Sequence, residues 1–458
     1  MKIAVCFAQE GVDCEDAVRR MTEAMRLCEH HTCRAFAVPG GAVGCVLTSD
    51  QHSAIPLLRK APDGNLLAVS GVPIDMKGTL DERLDRVAAG GVDEAVAELK
   101  DLDGAFAALF WDARARKLVI VTDALGIQPL YMTRRDGLLL IATELKAFAA
   151  SGLVDVEMDP AGWGAFVSLG FSIGHHTQLA GVRRADSGCI MIYDPASGAM
   201  ESDVHWSWPE PRPEMTVEDV DTGEMLQIMR REIECYASHC RSGTVLLSGG
   251  FDSRLILALL NEMKIDCRAL ILAHARSSAE ARFATRIARR LCCRDVERFA
   301  PSSEYYSSPT YLKYLVMDEV AIPSWGLHIS THVSAHIRPA MKAVWEGLGP
   351  GFAFAPAYPL SGGFAVYLQD RCKDRDSLHW QVALSVFSDG VGQAMYEGFK
   401  QLLGHEIGKY TDDDFGTARF QMCSQMRTFL ALPPVAVYAN AVLPFMPGLS
   451  RGLWNLAA

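Results

Sequence analysis

Two hydrophobic rhythms divide the chain. Up to about residue 205, short apolar or alternating runs occur at 35–38, 66–69, 105–111, 118–121, 138–141 and 189–193. Turn signals such as Pro39-Gly40-Gly41, Asp63-Gly64 and Asp136-Gly137 separate them. Strand-length runs punctuated in this way predict a largely antiparallel sheet domain. The segment 206–215 carries Pro209, Pro211 and Pro213 beside Glu210 and Glu214 and reads as a linker. Helical periodicity then starts near Val217 and runs to about Cys240. After it come the apolar run Thr244-Val245-Leu246-Leu247, a glycine turn, and a helix over 254–260. A second strand at 267–273 and a helix over about 278–292 follow. Strands alternating with helices predict a parallel sheet covered on both faces. The remainder reads as mostly helical.

At 458 residues the chain exceeds one ordinary core, so two or three domains are expected. Hydrophobic content of 49% with 22% charged residues fits a globular protein. The net charge of −11 argues against broad nucleic-acid or membrane-surface binding, though not against a small basic pocket. No apolar stretch reaches the roughly 18 residues of a membrane span. The start, Met1 to Phe7, meets Gln9 and Glu10 quickly and does not read as a signal peptide, so a cytoplasmic location is expected. Thirteen cysteines without a C-x-x-C pair read as reduced thiols and give a structural zinc site little support.

The most informative chemistry is Ser248-Gly249-Gly250-Phe251-Asp252-Ser253. A strand, a glycine turn and a helix start make an anion site, because the first helical N–H groups lack intrahelical partners. Gly249 and Gly250 let the backbone approach closely, while Ser248 and Ser253 add hydroxyl donors. Asp252 would repel phosphate unless a cation lay between them, and Mg²⁺ suits that place. The lysine of G-x-x-x-x-G-K-[ST] is missing, so this is not a common P-loop.

The S-G-G-x-D-S pattern resembles the pyrophosphate loop of ATP pyrophosphatases. The first half adds Leu102-Asp103-Gly104-Ala105-Phe106-Ala107, Trp111-Asp112, Thr122 to Tyr131, and Ala142-Thr143-Glu144-Leu145-Lys146-Ala147. In that order these segments resemble the asparagine synthetase superfamily. The resemblance implies an α/β and α+β two-domain protein. Residues 1–208 would form an Ntn-hydrolase-like αββα sandwich of the glutaminase type. Residues 215–458 would form an adenine nucleotide α-hydrolase-like domain with a parallel sheet and helices. It further implies ATP and Mg²⁺, activation of a carboxylate as an acyl-adenylate, and release of pyrophosphate and AMP when an amine attacks. Leu246 and Leu272 would line the adenine side, and Gly347 would approach the ribose or adenylate. Ser248, Gly249, Gly250 and Ser253 would cradle pyrophosphate, and Asp252 would hold metal.

Departures from the family pattern choose among its branches. The glutamine-dependent members carry a cysteine after the initiator Met, whereas position 2 here is Lys. Cys6 could not replace it without loss of the five residues before it, because that nucleophile uses its own α-amine as base. The first domain is therefore expected to be an inactive glutaminase, as in β-lactam synthetases and the macrolactam cyclases of lasso peptides. Gly347-Leu348-Gly349-Pro350-Gly351 places Gly351 where a second metal aspartate belongs, with Glu346, Asp370 or the pair Asp318-Glu319 as substitutes. Leu348 stands where β-lactam synthetases carry a catalytic tyrosine. Pro447 replaces the Asp of the late R-x-P-F-L-D motif, and the second domain reads as shortened at its C-terminus.

His328, His332 and His336 stack on one helix face at i, i+4 and i+8. They read as a substrate-pocket or packed face, with metal the minority reading. Glu280 reads first as a capping acid. The leading expectation is a peptide or natural-product macrolactam cyclase, its partners a carboxylate substrate with an amine acceptor and a peptide-delivering biosynthetic protein. An ammonia-using asparagine synthetase and a non-catalytic homologue that binds nucleotide or a partner are the rivals, and a glutamine hydrolase is the weakest.

Overall fold

The computed structural model describes residues 1–48, 57–210, 221–273, 278–291, 293, 295–317, 319, 325–336, 342–349, 378–410 and 414–457. Seventeen strands among these form three sheets. One antiparallel sheet runs β10 (Arg183–Arg184), β8 (Tyr131–Arg135), β9 (Leu138–Ala142), β1 (Lys2–Phe7), β3 (Gly41–Leu47) and β2 (Thr32–Val38). A second antiparallel sheet runs β12 (Ala199–Val204), β11 (Cys189–Asp194), β7 (Lys117–Thr122), β6 (Asp103–Asp112), β5 (Leu66–Ile74) and β4 (Leu58–Lys60).

Side-chain alternation along β1 shows how the sheets stack. Ile3, Val5 and Phe7 enter the core shared with the second sheet, where the Phe7 and Trp111 rings stack with centroids 5.5 Å apart. Ala4 and Cys6 face the other way, toward helices α1 (Cys14–Met25) and α4 (Lys146–Ser151). Helices α2 (Leu80–Ala89) and α3 (Val92–Leu99) cover the outer face of the second sheet. All ten residues of β6 are buried, as a strand covered on both faces requires, which explains its unbroken apolar run. Asp136 and Gly137 join β8 to β9 with φ of 49° and 76°, the two positive values of a type I′ hairpin whose twist matches its strands.

Helices α5 (Pro160–Leu169) and α6 (Thr222–His239) lead into the second half. The latter carries an Asp221 side-chain cap, and Val217, where the helical period is expected to begin, lies with 211–220 outside the described residues. The third sheet is wholly parallel, in the order β15 (Val296–Phe299), β14 (Asp266–Leu272), β13 (Ser242–Leu246), β16 (Ala343–Trp345) and β17 (Leu443–Phe445). Helices α7 (Phe251–Glu262) and α8 (Ala279–Arg290) connect its first strands. The short helix α9 (Pro309–Leu315) and α10 (Trp325–His336) follow. The region expected to be mostly helical thus also supplies three strands, β15 and β17 at the sheet edges and β16 inside, too short for a period to mark them. Its segment 421–430 is wound as a π-helix.

Candidate active site

The loop after β13 lies where parallel sheets place ligands, at the carboxyl ends of their strands. A cavity of about 260 Å³ opens there, lined by Leu246, Leu247, Ser248, Ser253, Leu272, Glu280, Ile329, Glu346, Gly347 and Leu348. Two strands, three helices and the segment after β16 meet in it. Ser248 and Ser253 face each other with hydroxyl oxygens 3.1 Å apart, and the Ser248 hydroxyl accepts from the Gly250 N–H at 3.1 Å. Asp252 sits in the first turn of α7. Gly347 touches this turn so closely that a Cβ on it would lie 2.7 Å from the Ser253 nitrogen and 3.1 Å from Cβ of Asp252. Only glycine permits that approach.

Glu280 does something other than cap. The Ser278 hydroxyl caps α8 by accepting from the Ala281 N–H, while a Glu280 carboxylate oxygen accepts from the Gly249 N–H at 3.2 Å. A carboxylate therefore holds one of the amides that a phosphate would use. Arg254 brings a cation to the same loop. Its Nε donates to the Gly250 carbonyl at 2.8 Å, and its guanidinium lies 4.2 Å from the exposed Phe251 ring centroid.

Glu346 is the cavity's inner acid. It follows β16, and the Tyr438 hydroxyl donates to its carboxylate. Burial raises its pKa to about 7, against the lowering effect of that hydrogen bond. Sequence reading offered Glu346 only as a metal substitute. Tyr438, some ninety positions away, had no motif to mark it.

Other expected site residues lie elsewhere. His332 does not line the cavity: its Nε2 lies 2.8 Å from a Glu297 oxygen, and its ring stacks on Phe299 at 4.0 Å. Ile329, not a histidine, reaches the cavity from α10. The side chains of His328 and His336, and all of Asp318, Gly351 and Asp370, lie outside the described residues. Glu319 is engaged at α4, where it accepts from the Leu145 and Lys146 N–H groups and pairs with the Lys146 ammonium at 3.0 Å. The charges of the basic face on α8, at Arg282, Arg286, Arg289 and Arg290, are on exposed side chains. Pro447 is buried in the turn after β17, where Glu232 accepts from the Gly448 N–H at 2.6 Å and from the Ser450 hydroxyl.

In the first half, Lys2 is buried and its ammonium lies 2.8 Å from a Glu144 oxygen. Lys146 binds the other Glu144 oxygen at 2.7 Å, so a chain of alternating charges runs Lys2, Glu144, Lys146, Glu319. The Cys6 thiol is fully buried in β1, where the hydrogen bond with the neighbouring Cys14 thiol, and then burial, push its pKa up.

Similarity to known proteins lies among glutamine amidotransferases and asparagine synthetase-like proteins. Residues 90–206 match the glutamine amidotransferase domain family. A protein of Mycobacterium tuberculosis, provisionally named an asparagine synthetase (glutamine-hydrolyzing), is 24% identical over 389 residues, covering 78% of this chain and 58% of its own. The amidase chyE of Penicillium rubens is 28% identical over 174 residues, 36% of this chain and 24% of its own length. The chain thus spans between about a quarter and three-fifths of these curated relatives. Among solved structures, the glutamine phosphoribosylpyrophosphate amidotransferase of B. subtilis covers 78% of this chain and 97% of that one, with 11% identity and a TM-score of 0.33. The sequence matches make the chain similar to members of the asparagine synthetase superfamily, without selecting a branch.

Proposed function

We propose that the protein is an ATP-dependent amide ligase that activates a carboxylate as an acyl-adenylate. The supporting observation is the cavity itself, in which Ser248, Ser253, Gly347, Leu246 and Leu272 converge at the sheet's carboxyl edge. The donor set fits a triphosphate. The Ser248 and Ser253 hydroxyls offer donors for phosphate, and Leu246 and Leu272 give the same cavity an apolar wall. Asp252 would hold Mg²⁺, which when bound screens carboxylates from phosphate oxygens.

In this reading the loop orients the triphosphate so that the substrate carboxylate attacks the α-phosphate and pyrophosphate leaves toward Ser248 and Ser253. An amine then attacks the acyl carbon, and AMP departs with the bonding electrons. The residues act by positioning and by fixed dipoles rather than by covalent chemistry. Glu280 must release the Gly249 amide as the anion arrives.

We assign the first half an Ntn-like scaffold without glutamine hydrolysis, because residue 2 is an ion-paired lysine and the Cys6 thiol is enclosed. An acceptor amine carried by the substrate makes ammonia unnecessary, which favours macrolactam closure on a peptide or related natural product, with a biosynthetic partner delivering it. Pyrophosphate release from ATP in the presence of candidate peptides tests the reading. Release that persists undiminished in Asp252→Asn would remove the loop from the mechanism. Release that requires only aspartate and ammonia would move the chain to asparagine formation.

A further inference from the structure

We propose that Cys28, His30 and His31 form a binding site for a thiophilic divalent metal ion of the zinc class, separate from the ATP cavity. One ligand atom from each residue lies within 4.8 Å of the other two. The tight turn between α1 and β2 gathers them, closed by the His31 N–H donating to the Cys28 carbonyl at 3.0 Å. Two imidazoles with one thiolate are a borderline-to-soft set that suits zinc and leaves a fourth position open.

His31 is the fixed member. It is 2% exposed, and its Nε2 has no hydrogen-bond partner among the described residues. His30 is exposed and meets the His31 ring edge-on with centroids 4.8 Å apart. The Lys313 ammonium of α9 lies 3.6 Å from the Cys28 sulfur.

The geometry also states what binding costs. Zinc–ligand bonds of about 2.0–2.3 Å put tetrahedral neighbours roughly 3.5 Å apart, so the ligand atoms must close by about an ångström. Exposed His30 and half-buried Cys28 can supply that movement. The Leu27 N–H donates to His31 Nδ1 at 3.3 Å, and ligation through either ring nitrogen gives up this long bond. The Lys313 side chain is exposed and free to swing from an arriving cation. Leu27 packs against Tyr311 and Tyr314, so the site sits on the seam between the first half and α9. Cysteine spacing alone missed it, since the motif is C-x-H-H within one turn.

The test is a zinc titration of the purified full chain against a chromogenic chelator, with cobalt(II) substitution as a spectroscopic readout. One bound equivalent of zinc is expected, together with a thiolate-to-cobalt charge-transfer band. Cys28→Ser should abolish the band, and Cys28→Ser and His30→Ala should each weaken binding at least about tenfold. Both substitutions are at or near the surface, so folding is not at issue. Absence of a bound equivalent would overturn the site, as would equal binding by both variants.

Discussion

Glu346→Gln isolates the electrostatic cost of placing a carboxylate in the cavity. Glu346 ends β16 against Tyr438, and burial lifts its pKa from 4.5 to about 7. Between those two values the folded chain keeps a proton that the unfolded chain has released. Folded-state proton binding then exceeds unfolded-state binding, so stability falls as pH rises through this window and levels off above it. The full elevation corresponds to on the order of 3 kcal/mol, reduced to the extent that water in the cavity solvates the carboxylate. Glutamine keeps an acceptor for the Tyr438 hydroxyl and removes the charge. Urea unfolding of both proteins at about pH 4.5, 6 and 8 should show the variant gaining stability relative to wild type as pH rises. Glu232, whose pKa burial also raises to about 7, is common to both proteins and cancels in the difference. A difference that stays constant across the range, or shrinks with rising pH, would refute the reasoning.

Gly347→Ala would force a Cβ to 2.7 Å from the Ser253 nitrogen, and overpacking of that kind costs about 1–3 kcal/mol. ATP affinity by calorimetry should fall several-fold or more, and unchanged affinity would detach Gly347 from the ligand. Glu280→Ala frees the Gly249 amide, so pyrophosphate should bind about tenfold more tightly, as expected when a charge-assisted hydrogen bond no longer competes. Equal or weaker binding would instead make Glu280 a positive contributor to the site. Lys2→Ala leaves Glu144 short of one buried partner and should lower unfolding stability by about 3–5 kcal/mol, read as a drop in Tm. A variant as stable as wild type would mean that Lys146 alone satisfies Glu144.

Local features were legible in the sequence. The strand, glycine turn and helix from Thr244 onward form a continuous unit whose hydrogen bonds close within a few residues, such as Ser248 to Ser253. The Asp136-Gly137 hairpin belongs to the same class, because two residues of backbone preference decide it. What stayed hidden depends on separate elements meeting. Glu280 reaches Gly249 only because α8 packs beside the loop, and Tyr438 reaches Glu346 only because the chain returns to the sheet at β17. The i, i+4 spacing did place the α10 histidines on a helix, but spacing carries no information about which way that face turns. For His332 the answer came from Glu297 and Phe299 on β15.

The seam between the halves has a bearing on how this protein can be taken apart. Glu319 caps α4 and closes the alternating charge chain that begins at Lys2. Arg427 donates to the Gly126 carbonyl at 2.9 Å, Arg184 donates to the Arg427 carbonyl at 3.2 Å, and Arg451 meets Asp103 at 3.0 Å. Each of these partners would be orphaned in a fragment cut at the proline-rich linker, and buried charge without its counterpart is what folded chains tolerate least. Excision at the sequence boundary, or a chimera joining this second half to a foreign first half, would therefore expose ions rather than a neutral surface. The smallest portable unit is set by these charges and not by the linker.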